Sequence, residues 1–371
     1  MYVKYIELKN YRNYKNLSLE LSSGTNIFVG DNAQGKTNIL ESIYFCSLGK
    51  SHRTNKDKEV IIWGEKEAYI SAYISKERLD KKINIKIFKE GKKGATINSI
   101  KVNKLSELIG TFNSVMFSPE DLKIVKESPT YRRKFLDIEL SKLDKKYYNA
   151  LVQYNKILNE KNIILKKWKD KESLLDVYDV QLSKYGAYII NKRFEYLDIL
   201  SEKASIIHKE ITTGKEDIGF KYLTFVKNLD KPVNLNKIEF DLKEQLNASR
   251  QKDIEKRISS VGPHRDDFLI SINDIDTRIF GSQGQQRTAV LSIKFASLEI
   301  IKEIYGEYPV LLLDDVLSEL DINRQKYILN SISKFQTIIT CTGIMDIKKY
   351  LKDNINIYHV KEGSIEIETL D

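Results

Sequence analysis

Only two cysteines occur in 371 residues, Cys46 and Cys341. Both sit in apolar runs, SIYFCSL and TIITCTG, which reads as reduced core thiols of a cytosolic protein rather than a disulfide framework. Histidine is sparse as well, four in all, and no Cys/His spacing suits zinc. No apolar run is long enough to span a bilayer, and the opening MYVKYIELKN lacks the apolar region of a signal peptide. A cytoplasmic chain with no membrane partner is expected. No tandem repeat or low-complexity tract interrupts it.

What is present is ordinary for a soluble globular chain: 41% hydrophobic and 30% charged residues. The length suffices for one large domain or two smaller ones. The formal charge of +9 is a moderate basic excess. It is compatible with a nucleic-acid partner and does not require one.

Hydrophobic spacing divides the chain. YVKYIELKN, LSLELSS and TNIFVG read as short strands, and AYISAYIS with KINIKIF as a half-exposed antiparallel hairpin. TNILESIYFCSLG reads as a helix with its apolar face at Ile39, Leu40, Ile43 and Tyr44, closed by Gly49. From Ser128 the strand signal fades. Ser128 as N-cap and Pro129 at the first helical position open a helix, and two long amphipathic segments broken near KDKESL predict an antiparallel helical hairpin. IGFKYLTFV, a linker with Pro232 and another helix lead back to strand signals at DFLISIN. The fold class expected is α/β, with residues 1–110 and 255–371 forming one discontinuous lobe and 111–254 a mainly helical second lobe.

Three motifs carry chemistry. GDNAQGKTN, residues 30–38, follows the strand NIFV and matches G-x-x-x-x-G-K-[ST]. Its glycines let backbone N–H groups of Gly30, Asp31, Asn32, Ala33, Gln34 and Gly35 turn around a phosphate, with Asn38 closing the motif. Lys36 reaches the β/γ-phosphates and the Thr37 hydroxyl can ligate Mg²⁺. VLLLDD is an apolar strand ending in two acids, and unpaired buried carboxylates are costly. A metal supplies a reason: Asp314 would hold Mg²⁺, and Asp315 would polarise the attacking water.

FGSQGQQRTAVLS, residues 280–292, places a Gly- and Gln-rich cluster before a well-buried helix. It is either a polar loop or an anion site, since a helix N-terminus offers free N–H groups and partial positive charge. Phosphate loop, Ser-Gln-Gly-Gln helix start and acidic strand follow one another as in ABC-type ATPases, which the chain therefore resembles. In those proteins this helix start binds the γ-phosphate held by a partner subunit. SELD, residues 318–321, stands where they place the loop linking the two sites.

LKNYRNY, GDNAQGKTN, FSPEDLKIVKESPTYRRKFLD, VGPHRDD, SQGQQR and LLLDDVLSELD together make the resemblance narrower and nearly end to end. The chain resembles the RecF family of bacterial DNA-repair proteins, related to SMC heads. The resemblance implies an ABC-type P-loop ATPase head with an inserted helical lobe and ATP as cofactor with Mg²⁺. It also implies an ATP-dependent homodimer, weak DNA-stimulated ATPase activity, and binding to gapped DNA and single-/double-strand junctions. RecR and RecO are the implied partners, with RecA loaded indirectly. Carried over by residue, Lys36 and Thr37 serve phosphate and metal, Asp314 and Asp315 metal and water, and Ser282, Gly284 and Gln285 the trans phosphate.

Two departures stand out against transporter-type relatives. Glu120 replaces the usual Gln of the sensor loop, and Thr340 or Thr342 stands where a His usually follows the last strand. Arg12 either approaches the nucleotide or faces solvent. His264 in GPHRDD is read as structural or domain-coupling rather than catalytic. Arg132 and Arg133 in YRRK, and Lys166 in KKWKDK, are candidate DNA contacts or simply a solvated helix face. The competing classes are the ATPase subunit of another ABC-type assembly, transporter or SMC-like, and a GTPase.

Overall fold

A computed structural model describes residues 1–167, 172–226, 234–343 and 355–368. Most of KKWKDK and the Pro232 linker lie outside the described residues. The chain divides into two compact units, residues 1–121 with 291–371, and residues 122–290.

The first unit holds two six-stranded sheets. One is antiparallel, in the order Tyr14–Glu20, Tyr2–Tyr11, Glu67–Ser75, Lys81–Phe88, Lys93–Ile97, Ile100–Val102. The expected hairpin is its centre, with Ile70 opposite Ile85 and Ala72 opposite Ile83. The other sheet runs Ser364–Glu368, Ile355–Lys361, Thr25–Val29, Thr337–Cys341, Val310–Asp314, Ser114–Phe117. Its last five strands are parallel, and only the Ser364–Glu368 edge is antiparallel. Both Thr25–Val29 and Val310–Asp314 are buried along their whole length, as strands covered on both faces must be.

The helix Lys36–Leu48 packs against both sheets. Eleven of its thirteen residues are buried, including Glu41, Ser42 and Ser47. The single apolar face expected from spacing is thus a helix enclosed all round. Gly49 ends it in the left-handed conformation, φ 66°, a backbone state that costs glycine little.

The second unit is built on the helices Pro129–Leu143, Lys145–Lys166, Glu172–Thr212, Leu235–Ala248 and Arg250–Lys256. Lys145–Lys166 packs along Glu172–Thr212, which also carries Leu235–Ala248 and the strand Ile218–Leu223. That strand pairs with Asp267–Ile272 in a three-stranded antiparallel sheet. Ser128 holds the N-cap position with extended backbone, but its side chain makes no capping bond, and Pro129 is the first helical residue.

These bounds differ from the expected 1–110, 255–371 and 111–254. Residues 111–121 belong with the first unit because Ser114–Phe117 is the edge strand beside Val310–Asp314. Residues 255–290 belong with the second because Asp267–Ile272 pairs with Ile218–Leu223.

Candidate functional site

The phosphate loop leaves the strand Thr25–Val29 at the carboxyl end of the parallel sheet, where open α/β sheets bind ligands. Its glycines are required by space. A Cβ on Gly30 would run into the Val360 carbonyl, and one on Gly35, at φ 114°, into the Asn13 and Tyr14 side chains. Ala33 also takes the left-handed conformation, φ 66°.

Neighbours brace the loop. Asn13 donates to the Gln34 carbonyl at 3.0 Å, the Tyr14 hydroxyl to the Gly35 carbonyl at 3.2 Å, and the Glu362 amide to Gln34 Oε1 at 2.6 Å. Asn38 donates to Asn13 Oδ1 at 2.8 Å. Asp31, Asn32 and Ala33 remain exposed on the open side. Lys36 is buried, and its Nζ donates to the carbonyls of Gly30 at 2.5 Å and Asp31 at 2.8 Å. Its charge is thereby held inside the ring of loop backbone.

The acidic strand is not next to the loop strand; Thr337–Cys341 lies between them. Thr340 on that middle strand joins the two motifs. The Thr340 hydroxyl donates to Asp314 Oδ1 at 2.9 Å, and the Thr37 hydroxyl donates to the same oxygen at 2.8 Å. Thr340 Oγ1 also accepts from the Asp315 amide at 3.0 Å. Asp314 is buried. Asp315 is half-buried with a left-handed backbone, φ 53°, a conformation that needs a reason outside glycine and recurs at functional positions. Thr342 and Glu120 are exposed. Asp121, beside Glu120, accepts from the Ser118 amide at 2.8 Å and pairs with Lys294 at 2.7 Å.

Arg12 is tied to the helix that follows the loop. Its guanidinium grips Glu41 with two bonds, at 2.7 and 2.5 Å, and donates to the Glu59 carbonyl at 2.9 Å. Burial pushes the Glu41 carboxyl up, but the bonds from Arg12 and Ser51 outweigh it and hold the group below its ordinary range. His52, next along, is kept neutral mainly by burial. Sequence reading missed Asn13 and Tyr14, because bracing is decided by which strands lie beside the loop, and Glu41, whose partner Arg12 lies 29 residues away.

In the second unit, Ser282 and Gln285 cap the helix Gln283–Tyr305 reciprocally. The Ser282 amide donates to Gln285 Oε1 at 2.9 Å, and the Gln285 amide to Ser282 Oγ at 3.2 Å. This is the S-x-x-Q capping box, legible in the sequence but not read there. Ser282 is exposed, and Gly284 and Gln285 are half-buried.

The candidate DNA contacts separate. Arg132 is 3% exposed. Its Nε and Nη2 bind Asp267 at 2.6 and 2.9 Å, and Nη1 binds the carbonyls of Ile124 and Glu127. Arg132 thus spends its hydrogen-bonding inside the unit, which favours a structural part over the expected DNA contact. Arg133 is half-buried and donates to the Asp266 carbonyl at 2.8 Å. Lys166, and Lys134 of the same YRRK run, are exposed. His264 is bonded on both ring nitrogens, which fits a structural part. Its Nδ1 meets the Tyr154 hydroxyl at 2.7 Å and its Nε2 the Ser259 carbonyl at 3.1 Å.

Parallel sheet, phosphate loop, acidic strand end and capped Ser-Gln-Gly-Gln helix define an ABC-type P-loop ATPase head. Comparison with known proteins places it more narrowly. The RecF/RecN/SMC N-terminal domain family matches residues 2–366. A "DNA replication and repair protein RecF" of Clostridium novyi (strain NT) is 67% identical over 365 residues, covering 98% of this chain and 99% of that one. The solved structure "RecF-ATP in RecFOR pathway" is 41% identical with a TM-score of 0.90, covering 99% of both chains. An Smc head bound to the C-terminal winged-helix domain of ScpA shares the fold at 18% identity and a TM-score of 0.58, covering 100% of this chain and 98% of its own. The chain belongs to the RecF/RecN/SMC family, and within it to the RecF proteins. The transporter and GTPase alternatives are thereby set aside. No helix among the described residues is long and apolar enough to cross a membrane.

Proposed function

We propose that the protein is an ATP-driven, DNA-binding dimer of the RecF type, acting in replication and in repair of single-strand gaps. The observation that carries this reading is the shared contact at Asp314. Phosphate loop and acidic strand, 277 residues apart in sequence, meet there through Thr37 with Thr340 as bridge. This contact supports a nucleotide site prebuilt in the first unit.

In this reading ATP lies in the loop of residues 30–38, with backbone amides on its phosphates. Lys36 exchanges its two carbonyl partners for the β/γ-phosphates. A hydroxyl beside a carboxylate is an oxygen-only donor pair, which suits Mg²⁺, an ion that takes one or two protein ligands and completes its shell with phosphate and water. Thr37 and Asp314 would hold it, and when bound it neutralises phosphate charge. Asp315, half-buried at the end of the acidic strand, orients the attacking water. Ser282, Gly284 and Gln285 serve the γ-phosphate of a second copy, so hydrolysis waits for dimerisation and is slow. DNA stimulates it. The names of the relatives, a DNA replication and repair protein and a recombination mediator of the RecFOR pathway, support the pathway. RecR and RecO as partners, RecA loaded at gaps and gapped DNA as substrate belong to the same reading.

Sedimentation with ATP, with ADP and without nucleotide, each with and without DNA, tests the reading. A dimer with ATP alone, favoured further by DNA, is expected. A monomer in every state would overturn it.

A further inference from the structure

At the start of the helix Gln283–Tyr305, the groups assigned above to a partner's phosphate are already engaged within their own subunit. Ser282 Oγ accepts from the Gln285 amide, and Gln285 Oε1 accepts from the Ser282 amide. Gln285 Nε2 donates to Glu216 Oε1 at 2.9 Å. The orientation of that side-chain amide is dictated by its neighbours. A backbone N–H can only donate and a carboxylate can only accept, so the oxygen must face Ser282 and the nitrogen must face Glu216. Gln285 thus presents an acceptor at the helix N-terminus, where an anion needs donors, and spends its donor on a carboxylate.

Glu216 is well placed to impose this. It sits in the turn between the helix Glu172–Thr212 and the strand Ile218–Leu223, its side chain 22% exposed. Its other oxygen lies 3.3 Å from Nε2 of the fully buried His208. The turn also has bonds that do not involve that side chain. Backbone bonds hold it, from the Gly214 amide to the Lys209 carbonyl at 2.8 Å and from the Asn273 amide to the Asp217 carbonyl at 2.8 Å. The Asp217 amide adds a bond to Asn273 Oδ1 at 2.9 Å. A carboxylate fastened to the side-chain amide at this helix start opposes an anion there both by charge and by locking that amide the wrong way round.

We propose that Glu216 is a positioning residue that latches Gln285 in a phosphate-rejecting orientation, so that the helix start accepts a partner's γ-phosphate only after the Glu216–Gln285 bond opens. This rests on the reading of Ser282–Gln285 as a trans-phosphate site. The latch sets a threshold: a weakly held or hydrolysed nucleotide in the partner leaves it closed, and dimerisation responds to ATP rather than ADP.

Glu216→Gln and Glu216→Ala remove the charge and free the amide. Each should bind ATP as wild type does when dilute and monomeric. Each should dimerise with ATP more tightly, the dissociation constant falling roughly five- to tenfold, within the usual span of coupling between sites. Some dimer should also appear with ADP. A nucleotide titration of the dilute monomer reads the first and sedimentation equilibrium the other two, with thermal melting as the check on folding. A merely structural Glu216 would leave dimerisation unchanged or weaken it, and either result in a folded variant overturns the latch. Ser282→Arg separates the two levels. If wild type dimerises with ATP and Ser282→Arg does not, while the Glu216 variants match wild type, the latch alone is wrong. If Ser282→Arg dimerises normally, the trans-phosphate reading itself has failed.

Discussion

The Thr37 hydroxyl donates to Asp314 Oδ1 across 2.8 Å, and Thr340 donates to the same oxygen from the strand between them. Asp314 is 8% exposed, and a buried carboxylate lacking partners is costly. Two hydroxyl donors satisfy it before any ligand arrives.

Binding and hydrolysis should separate at this site. Lys36→Met removes the charge directed at the β/γ-phosphates, so ATP affinity should fall and the ATP-dependent dimer vanish. Asp315→Asn keeps the size of the side chain but loses its carboxylate. ATP-bound dimer should accumulate while hydrolysis falls by roughly the 10²–10⁴ typical of losing a general base. Equilibrium nucleotide binding and steady-state ATPase, measured on both variants, distinguish the two effects. Unchanged hydrolysis in Asp315→Asn would move the water-orienting role elsewhere.

DNA binding through exposed lysines should be sequence-tolerant and steeply salt-dependent. Reversing Lys134 and Lys166 together to Glu should weaken binding while leaving ATP affinity and melting temperature alone. Arg132→Glu should behave differently. It strands Asp267 beside a second carboxylate in a buried pair, and breaking such a pair costs about 3–5 kcal/mol. Its loss of DNA binding should therefore track loss of folded protein in a melting curve. A stable Arg132→Glu variant with selectively lost DNA affinity would restore the role first expected of it.

The GPHRDD turn should show a compensated acid response. His264 is lowered to about 4, chiefly by burial, and Asp266 is raised to about 6, also chiefly by burial. As pH falls from 6.5 to 4 the unfolded chain takes a proton on His264 that the folded one refuses, which removes stability. As pH falls from 6 to 3.8 the folded chain takes a proton on Asp266 that the unfolded one does not, which adds stability. Between pH 6 and 4 the two nearly cancel. Asp266→Asn should expose the histidine alone, with stability falling by about 1.4 kcal/mol per pH unit over that window relative to wild type. His264→Gln should expose the opposite slope. Denaturant unfolding from pH 4 to 7 gives both. Parallel curves for all three proteins would rule out the pair.

The site was legible where a motif ties chemistry to consecutive residues. GDNAQGKTN and VLLLDD need local spacing only, and both stand at the ends of buried parallel strands. The bridge at Thr340 was half-legible. It was marked as one of two threonines, but the choice depends on Thr337–Cys341 being the middle strand, a matter of topology. The inward turn of Arg132 was hidden for a similar reason. Its partner Asp267 is 135 residues away, and a Tyr-Arg-Arg-Lys run gives no sign of which arginine turns inward. The strand Ser114–Phe117 was absorbed into the helical lobe because four residues carry too little pattern to be seen alone.

Ser282 supports the most discriminating test, and the capping box changes how it must be read. Ser282→Arg loses a cap worth about 0.5–2 kcal/mol, so a modest drop in melting temperature is expected and does not by itself argue against a trans role. The variant monomer should still bind ATP normally, because its own phosphate loop is intact. It should fail to dimerise, because Arg occupies the space the partner's phosphate needs. Mixing with Lys36→Met then decides. That subunit lacks its own phosphate site but keeps an intact Ser282 helix start, and the two defects are complementary. Together they can build one complete composite site, while neither alone can build any. Partial heterodimer by sedimentation, and ATPase above the sum of the separate variants, are expected. Serine caps that act only on their own helix predict no such rescue, since the Lys36→Met subunit would contribute nothing to the Ser282→Arg one. A mixture no more active than its parts would count against the shared site.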